Sequence, residues 1–261
     1  MPPDAKLLDS IIATALEAGA ATMKVYAGAF TVDAKDDASP VTAADRLSEE
    51  IILKRLAEAA PMIPVLAEES AAEGSIPELG AAFFLVDPLD GTKEFIGRNG
   101  EFTVNIALVR DGRPALGVVY APALGRLYAG GRPLGAFRID VGAGNRQTER
   151  RAIRTRAAPP AGVTAVASRS HRTPETDGFL KALNVAEFAA SGSSLKFCLI
   201  AEGAADVYPR LGRTMEWDTG AGQAVLEAAG GRVVAHPGGE PLRYGKRDSG
   251  FANPYFIAWG R

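Results

Sequence analysis

The residues best placed to do chemistry form one short stretch, Leu85-Val86-Asp87-Pro88-Leu89-Asp90-Gly91-Thr92. Apolar residues 83–86 read as a strand that delivers one carboxylate at its end. A second carboxylate follows three residues later, then a glycine and a hydroxyl. Pro88 stiffens the turn, and Gly91 permits backbone conformations that other residues resist. Such a turn can aim Asp87 and Asp90 at one place, with the Leu89 carbonyl between them. Three hard oxygen donors within four residues suit a cation such as magnesium. The same stretch also reads as a strand end followed by an ordinary Asp-Gly turn. Three further groups could join it. Glu68-Glu69 follows a short apolar run, 63–66, and arrives beside Asp87 if the two strands are neighbours; otherwise it is a solvated acidic loop. Asp218 sits at a helix start before Thr219-Gly220, where it would equally serve as an N-cap. Asp37, Thr42 and Asp45 lie on a polar segment at another helix start, where such residues also commonly cap.

Composition narrows the chemistry. The 261 residues carry 29 Lys and Arg against 31 Asp and Glu, a net charge of −2, which argues against a broad nucleic-acid surface. The arginines at 146, 150, 151, 154 and 156 lack the interleaved aromatics of a nucleic-acid face. The single cysteine, Cys198, excludes an intrachain disulfide and a zinc site built from several thiolates. With only two histidines, a metal site must lean on carboxylates, which favours hard cations. No run approaches 18 apolar residues, and the N-terminus lacks the pattern of a signal peptide, so neither a membrane-spanning helix nor a leader is expected.

The elements that must position these groups can be read from periodicity. Helical spacing from Leu7 to Val25, with Asp4 as N-cap, predicts a long first helix. A loop or short hairpin over 33–42 precedes a second helix over 43–60, with Leu47, Ile51, Leu53 and Leu56 as its apolar positions. Strands are expected over 63–66, 83–86, 102–109, 116–120 and 127–129, with Asp111-Gly112 turning a hairpin. A boundary falls near Pro159-Pro160. Beyond it come a strand over 163–167, a helix opening at Thr173-Pro174, a helix over 193–201, a strand over 205–208, a helix over 218–229 and core strands at 233–234 and 255–257. The irregular alternation predicts layered α/β architecture.

Four elements in order carry a family resemblance. Asp87 to Thr92 resembles the signature of the magnesium-dependent, lithium-sensitive phosphatases typified by inositol monophosphatase. Trp217-Asp218-Thr219-Gly220-Ala221-Gly222 resembles its second signature. Ala67-Glu68-Glu69-Ser70 resembles the acidic element before the first, with Ala67 where glycine is common. Asp37-Ala38-Ser39-Pro40-Val41-Thr42-Ala43-Ala44-Asp45 resembles the N-terminal element. Within the family, the segments 93–96, 98–106, 118–122, 168–171, 192–198, 201–203 and 206–210 resemble most the 3'(2'),5'-bisphosphate nucleotidases.

The resemblance implies a sugar-phosphatase fold layered α-β-α-β-α. A larger N-terminal α+β domain, 1–158, would hold most metal ligands. A smaller C-terminal α/β domain, 159–261, would bring the last ligand and the substrate pocket. By similarity, Glu68, Asp87 and the Leu89 carbonyl would hold one magnesium, and Asp87, Asp90 and Asp218 a second, with a third, mostly water-held ion near Glu68. Thr92, backed by Asp45, would orient and deprotonate the attacking water, with Asp37 supporting that loop. Gly91 and Thr92 would meet the phosphate. Ser191, Gly192, Ser193, Ser194, Lys196, His171 and Arg210 would line the rest of the substrate site, with Arg98 and Arg169 as further phosphate contacts. Cys198 reads as a buried hydrophobe and His236 as a surface turn residue. The implied reaction removes the 3'-phosphate of adenosine 3',5'-bisphosphate (PAP), with the sulfate donor PAPS as a second substrate, and clears a by-product of sulfate activation. It implies a cytoplasmic enzyme able to associate peripherally with the inner face of the cell membrane. Competing readings are a phosphatase for inositol-1-phosphate, fructose-1,6-bisphosphate or histidinol phosphate, and a non-catalytic nucleotide- or metal-binding protein. Oligomeric state is not legible.

Overall fold

The computed structural model describes residues 3–34, 40–167 and 173–261. In chain order the helices are α1 (Pro3–Ala27), α2 (Ala43–Ala59), α3 (Glu68–Ala72), α4 (Thr92–Ile96), α5 (Pro174–Lys181), α6 (Leu195–Ala201) and α7 (Gly220–Ala228). The first ten strands are β1 (Val32–Ala34), β2 (Pro40–Thr42), β3 (Val65–Ala67), β4 (Ala82–Asp90), β5 (Thr103–Arg110), β6 (Arg113–Ala121), β7 (Arg126–Gly131), β8 (Gly135–Gly142), β9 (Arg146–Gln147) and β10 (Arg151–Ile153). The last five are β11 (Val163–Ala167), β12 (Val185–Ala190), β13 (Val207–Arg210), β14 (Arg232–Ala235) and β15 (Phe256–Trp259).

The large sheet runs β10-β8-β7-β6-β5-β4-β3, with β9 on β8; β3 is parallel to β4 and the other pairs are antiparallel. The small sheet runs β12-β11-β13-β15-β14 and is mixed. Strand alternation sends Phe84, Val86, Val104, Ile106 and Leu108 to one face of the large sheet, where they meet Leu8, Ile11, Ile12, Ile52 and Leu56 of α1 and α2. The other face presents Phe83, Leu85, Ala107 and Val109 to Phe197 of α6 and Val225 of α7. The same cluster continues into Tyr208 and Phe256 of the small sheet. Leu180 of α5 covers that sheet's far side with Ala165, Val207 and Ile257. Helix, sheet, helix, sheet and helix therefore stack in five layers, the expected α-β-α-β-α order. Gly117 of β6 admits the backbone of α7 so closely that a Cβ there would lie 2.7 Å from the Cβ of Ala224. This contact leaves room only for small side chains at 221 and 224.

Several local expectations change. Asp4 lies inside α1 rather than capping it; its two carboxylate oxygens receive Nη1 and Nη2 of Arg110 at 3.0 and 2.7 Å. In α2, Leu47 is exposed, while Ile52 and Leu56 are the buried large apolar side chains. Strand β12 was not expected: its alternating residues are mostly exposed at the edge of the small sheet, so no apolar period marks it. His236 is half-buried and packs edge-on against Phe179, 5.5 Å between ring centres. Cys198 is fully buried, as its sequence context suggests.

Candidate active site

The first two carboxylates owe their aim to a bulge. Asp87 pairs with Asn105 and Asp90 with Thr103, so β4 takes three steps where β5 takes two. Residues three apart on a regular strand face opposite sides. The extra residue returns Asp87 and Asp90 to one side. Inside the turn, the Leu89 amide donates to Asp87 Oδ1 at 3.0 Å, and the Leu89 side chain buries with Ala44, Phe95 and Phe102. Gly91 follows with φ 94°, a left-handed backbone that favours glycine, and starts α4.

Helix α2 holds three separate pieces of the site on one buried face. Asp45 completes a capping box: its Oδ2 receives the Thr42 amide at 2.8 Å and the Thr42 hydroxyl at 2.7 Å. Its other oxygen, Oδ1, receives Thr92 Oγ1 at 3.3 Å. The cap and the contact to Thr92 thus use different oxygens of one carboxylate. Ser48 donates to the Pro88 carbonyl at 2.8 Å. Glu49 accepts the Glu69 amide, the Ser70 amide and the Ser70 hydroxyl at 2.8, 2.8 and 2.5 Å, which fixes the loop carrying Glu68. Neither Ser48 nor Glu49 was singled out from sequence. Spacing of three and four from Asp45 was the available signal, because it puts all three on one face.

Asp218 arrives from the other side, just before α7. The helix begins two residues later than expected, and no side chain caps it. Asp218 instead accepts the Met215 amide through Oδ2 at 2.8 Å, so it closes its own turn. Glu68, Asp87, Asp90 and Asp218 are close enough to perturb one another. Burial, then the charges of Glu68, Asp90 and Asp218, hold Asp87 well above the usual carboxylate range, and its carboxyl hydrogen-bonds with that of Glu68. Desolvation by the surrounding protein and the charges of Asp90 and Glu68 push Asp218 up to about 8.

The substrate-side residues line the cleft against this cluster. Asp90, Glu94, Ser193, Lys196, Arg210 and Asp218 share its wall. Lys196 is only 6% exposed. Burial lowers its pKa to about 8, opposed by the charge of Asp90, and its ammonium lies 5.4 Å from the Tyr208 ring centre. Arg210 donates from Nη2 to the Arg213 carbonyl at 3.0 Å, while its buried Nε has no hydrogen-bond partner. Ser193 Oγ lies 2.8 Å from both the Asp90 and the Glu101 carbonyl, which share its one proton, and the residue adopts φ 47°. Gly192 donates its amide to Glu101 Oε2 at 2.9 Å. Ser191 is buried, with its hydroxyl 3.4 Å from the Gly192 carbonyl. Ser194 contacts Asp90 Oδ2 and the Asp218 carbonyl at 2.8 and 2.7 Å.

Asp37 and His171 lie outside the described residues, as does Arg169. Arg98 is not in the cleft: it donates to the Tyr26 and Gly28 carbonyls at the end of α1, at 2.5 and 2.7 Å, and stacks over Tyr26. Two of the arginines near residue 150 are paired, Arg150 with Asp9 and Arg156 with Asp206. Among the described residues, the carboxylates do not close as three ligands around one point. Their chemistry nonetheless fits a hard divalent cation: all the donors are oxygens, and each carboxylate raises the cost of ionising its neighbour until a cation joins them.

Residues 4–258 match the model of the inositol monophosphatase family, and the chain belongs to that family. Its relatives narrow the likeness. It is 46% identical over 252 residues to the 3'(2'),5'-bisphosphate nucleotidase CysQ of Shigella flexneri, covering 96% of this chain and 98% of that one. It is 34% identical over 258 residues to the enzyme of the same name from Haemophilus influenzae, covering 97% and 93%. Among solved structures, CysQ from Bacteroides thetaiotaomicron, described as a bacterial member of the inositol monophosphatase family, superposes with a TM-score of 0.82 at 41% identity over 97% and 96% of the two chains. An inositol monophosphatase from Anabaena superposes with a TM-score of 0.73 at 29% identity, over 97% and 90%.

Proposed function

We propose that this chain is a magnesium-dependent phosphomonoesterase that removes the 3'-phosphate of adenosine 3',5'-bisphosphate, giving AMP and phosphate, with PAPS as a second substrate. The observation that carries the reading is the pairing of two unlike groups in one cleft. Asp90 and Asp218 of the acidic cluster line the same cleft as the buried Lys196 and the half-buried Arg210. A substrate with a phosphate to lose and a second to keep matches that polarity. The nucleotidases named above act, by their name, on such bisphosphates.

Glu68, Asp87, the Leu89 carbonyl, Asp90 and Asp218 would hold the cations. Bound magnesium would neutralise phosphate charge and make water more acidic. The protein's own part is to place the nucleophile. Thr92 Oγ1 would orient the attacking water and receive its proton as the Thr92 proton passes to Asp45 Oδ1, the carboxylate oxygen it already donates to. The water oxygen bonds to phosphorus as the bond from phosphorus to the ribose 3'-oxygen breaks, and the departing 3'-oxygen takes a proton from solvent water to give the 3'-hydroxyl of AMP. Lys196 and Arg210 hold the 5'-phosphate, and the backbone at 191–193, pinned by Glu101, borders the nucleoside. His171 and Asp37 keep their proposed roles beside substrate and loop. The division at 158/159 puts the acidic turn in the first unit and the cationic wall in the second, so their packing would assemble the site. We place the enzyme in the cytoplasm; among the described residues no helix is long and apolar enough to cross a membrane.

Replacing Thr92 by Val tests the mechanism. Loss of general-base assistance is expected to lower kcat by about a hundredfold or more with little change in nucleotide affinity. Wild-type turnover would remove Thr92 from the reaction.

A further inference from the structure

Strand β5 is apolar from Val104 to Val109 except at Asn105, which is 1% exposed. Its Oδ1 is buried without a hydrogen-bond partner, a costly arrangement in a core. All of its recorded side-chain bonding therefore comes from Nδ2. That nitrogen donates to Ser194 Oγ at 2.9 Å and to Asp90 Oδ2 at 3.3 Å. Ser194, 2% exposed, turns its own hydroxyl onto Asp90 Oδ2 and the Asp218 carbonyl. Thr103 Oγ1 reaches the same Asp90 oxygen at 3.5 Å. Three donors thus converge on Oδ2. Through Ser194, the same network reaches the backbone of Asp218, 24 residues further along the chain.

We propose that Asn105 and Ser194 form a positioning pair that sets cation affinity by orienting Asp90 and locking it to the Asp218 loop. With Asn105 donating to a Ser194 lone pair, the single Ser194 proton is directed to Asp90 or to the Asp218 carbonyl. Asp90 Oδ2 is then engaged by the protein, which would leave Oδ1 as the oxygen for a cation. Ser194, read from sequence as a substrate contact, acts through Asp90 instead. Partners that orient a ligand typically change metal affinity by about 10–100-fold when lost. This inference rests on the metal-dependent reading above.

The test uses the full chain stripped of metal and titrated with Mn²⁺ in the absence of substrate, with free ion followed by electron paramagnetic resonance. Asn105→Leu keeps volume without the donor, and Ser194→Ala removes a single oxygen. Each is expected to weaken Mn²⁺ binding by about tenfold or more. The double variant is expected to be no weaker than the product of the two losses, because both act on one carboxylate oxygen. Wild-type Mn²⁺ affinity in either folded single variant overturns the pair. Should Asn105→Leu fail to fold, Ser194→Ala decides alone. A wild-type chain that takes up no Mn²⁺, or an Asp218→Asn chain that binds it as tightly as wild type, overturns the metal site itself.

Discussion

Asp87 and Asp90 face the same side of the large sheet because β4 holds one residue more than β5 between their pairing positions. Deleting that residue would turn one carboxylate toward α1 and α2. The bulge therefore links a local irregularity of the backbone to the charge density of the cleft. It also explains why Pro88 and Leu89 lie between the acids: one holds the carbonyl that Ser48 grips, and the other fills the pocket of Phe95 and Phe102.

Replacing Asp90 by Asn should nearly abolish turnover while the fold stays intact, since a ligand charge is removed and core volume is not. Loss of cation stabilisation worth several kcal/mol corresponds to a rate loss of about a thousandfold or more. Steady-state phosphate release, with circular dichroism as control, measures it. Undiminished rates at limiting magnesium would contradict the role of Asp90.

Lys196→Ala should discriminate between substrates. A buried charged hydrogen bond contributes about 1.5–3 kcal/mol, so kcat/KM for the bisphosphate should fall by about tenfold or more. The loss on adenosine 3'-monophosphate should be small, because that substrate has no second phosphate for the ammonium. Equal losses on both would remove the proposed specificity role.

Gly91→Ala should destabilise the chain and disturb the cleft together. The position has φ 94°, and a Cβ there would collide with the Ser193 hydroxyl that bonds the Asp90 and Glu101 carbonyls. Left-handed strain and the displaced serine together should cost about 2 kcal/mol, read as a lower urea midpoint. An unchanged midpoint would show that the 191–194 loop is not seated on Gly91.

Acid stability should depend on Asp206 at the base of the small sheet. Burial pulls its pKa up, but Arg156, at 2.8 Å to each oxygen, and the Thr164 amide outweigh it and hold the group below the usual carboxylate range. The unfolded chain binds the proton more readily, so the contribution is full above the unfolded pKa and fades as pH falls through the folded one. Asp206→Asn should lower stability by about 2 kcal/mol at neutral pH. The deficit should shrink as pH falls below about 4. A deficit constant with pH would contradict the ionic origin.

The candidate site was partly legible in sequence because its acidic residues sit at the ends of strands and at helix starts, where short motifs mark the turns. Asp87 and Asp90 do end β4, and Asp45 completes the cap of α2, as those motifs predict. The supporting layer was not legible, because its signals are ambiguous alone. Glu49 on a helix reads as a solvated charge, and Asn105 reads as a lapse in an apolar strand. Only the packing shows that one holds the Glu68 loop and the other meets Asp90. Helix α7 starts late because Asp218 bonds back to Met215, a choice that residue types do not reveal. Arg98 resembled a phosphate ligand because a basic residue near a phosphate motif invites that reading; the end of α1 supplied carbonyls that bind it instead.

The most direct test of the account is phosphate release with magnesium, measured side by side on adenosine 3',5'-bisphosphate, inositol-1-phosphate and fructose-1,6-bisphosphate. A cleft lined by Lys196 and Arg210 together with Asp90 and Asp218 predicts the highest kcat/KM for the nucleotide. A higher value for either sugar phosphate would contradict the substrate assignment, even with the metal chemistry intact.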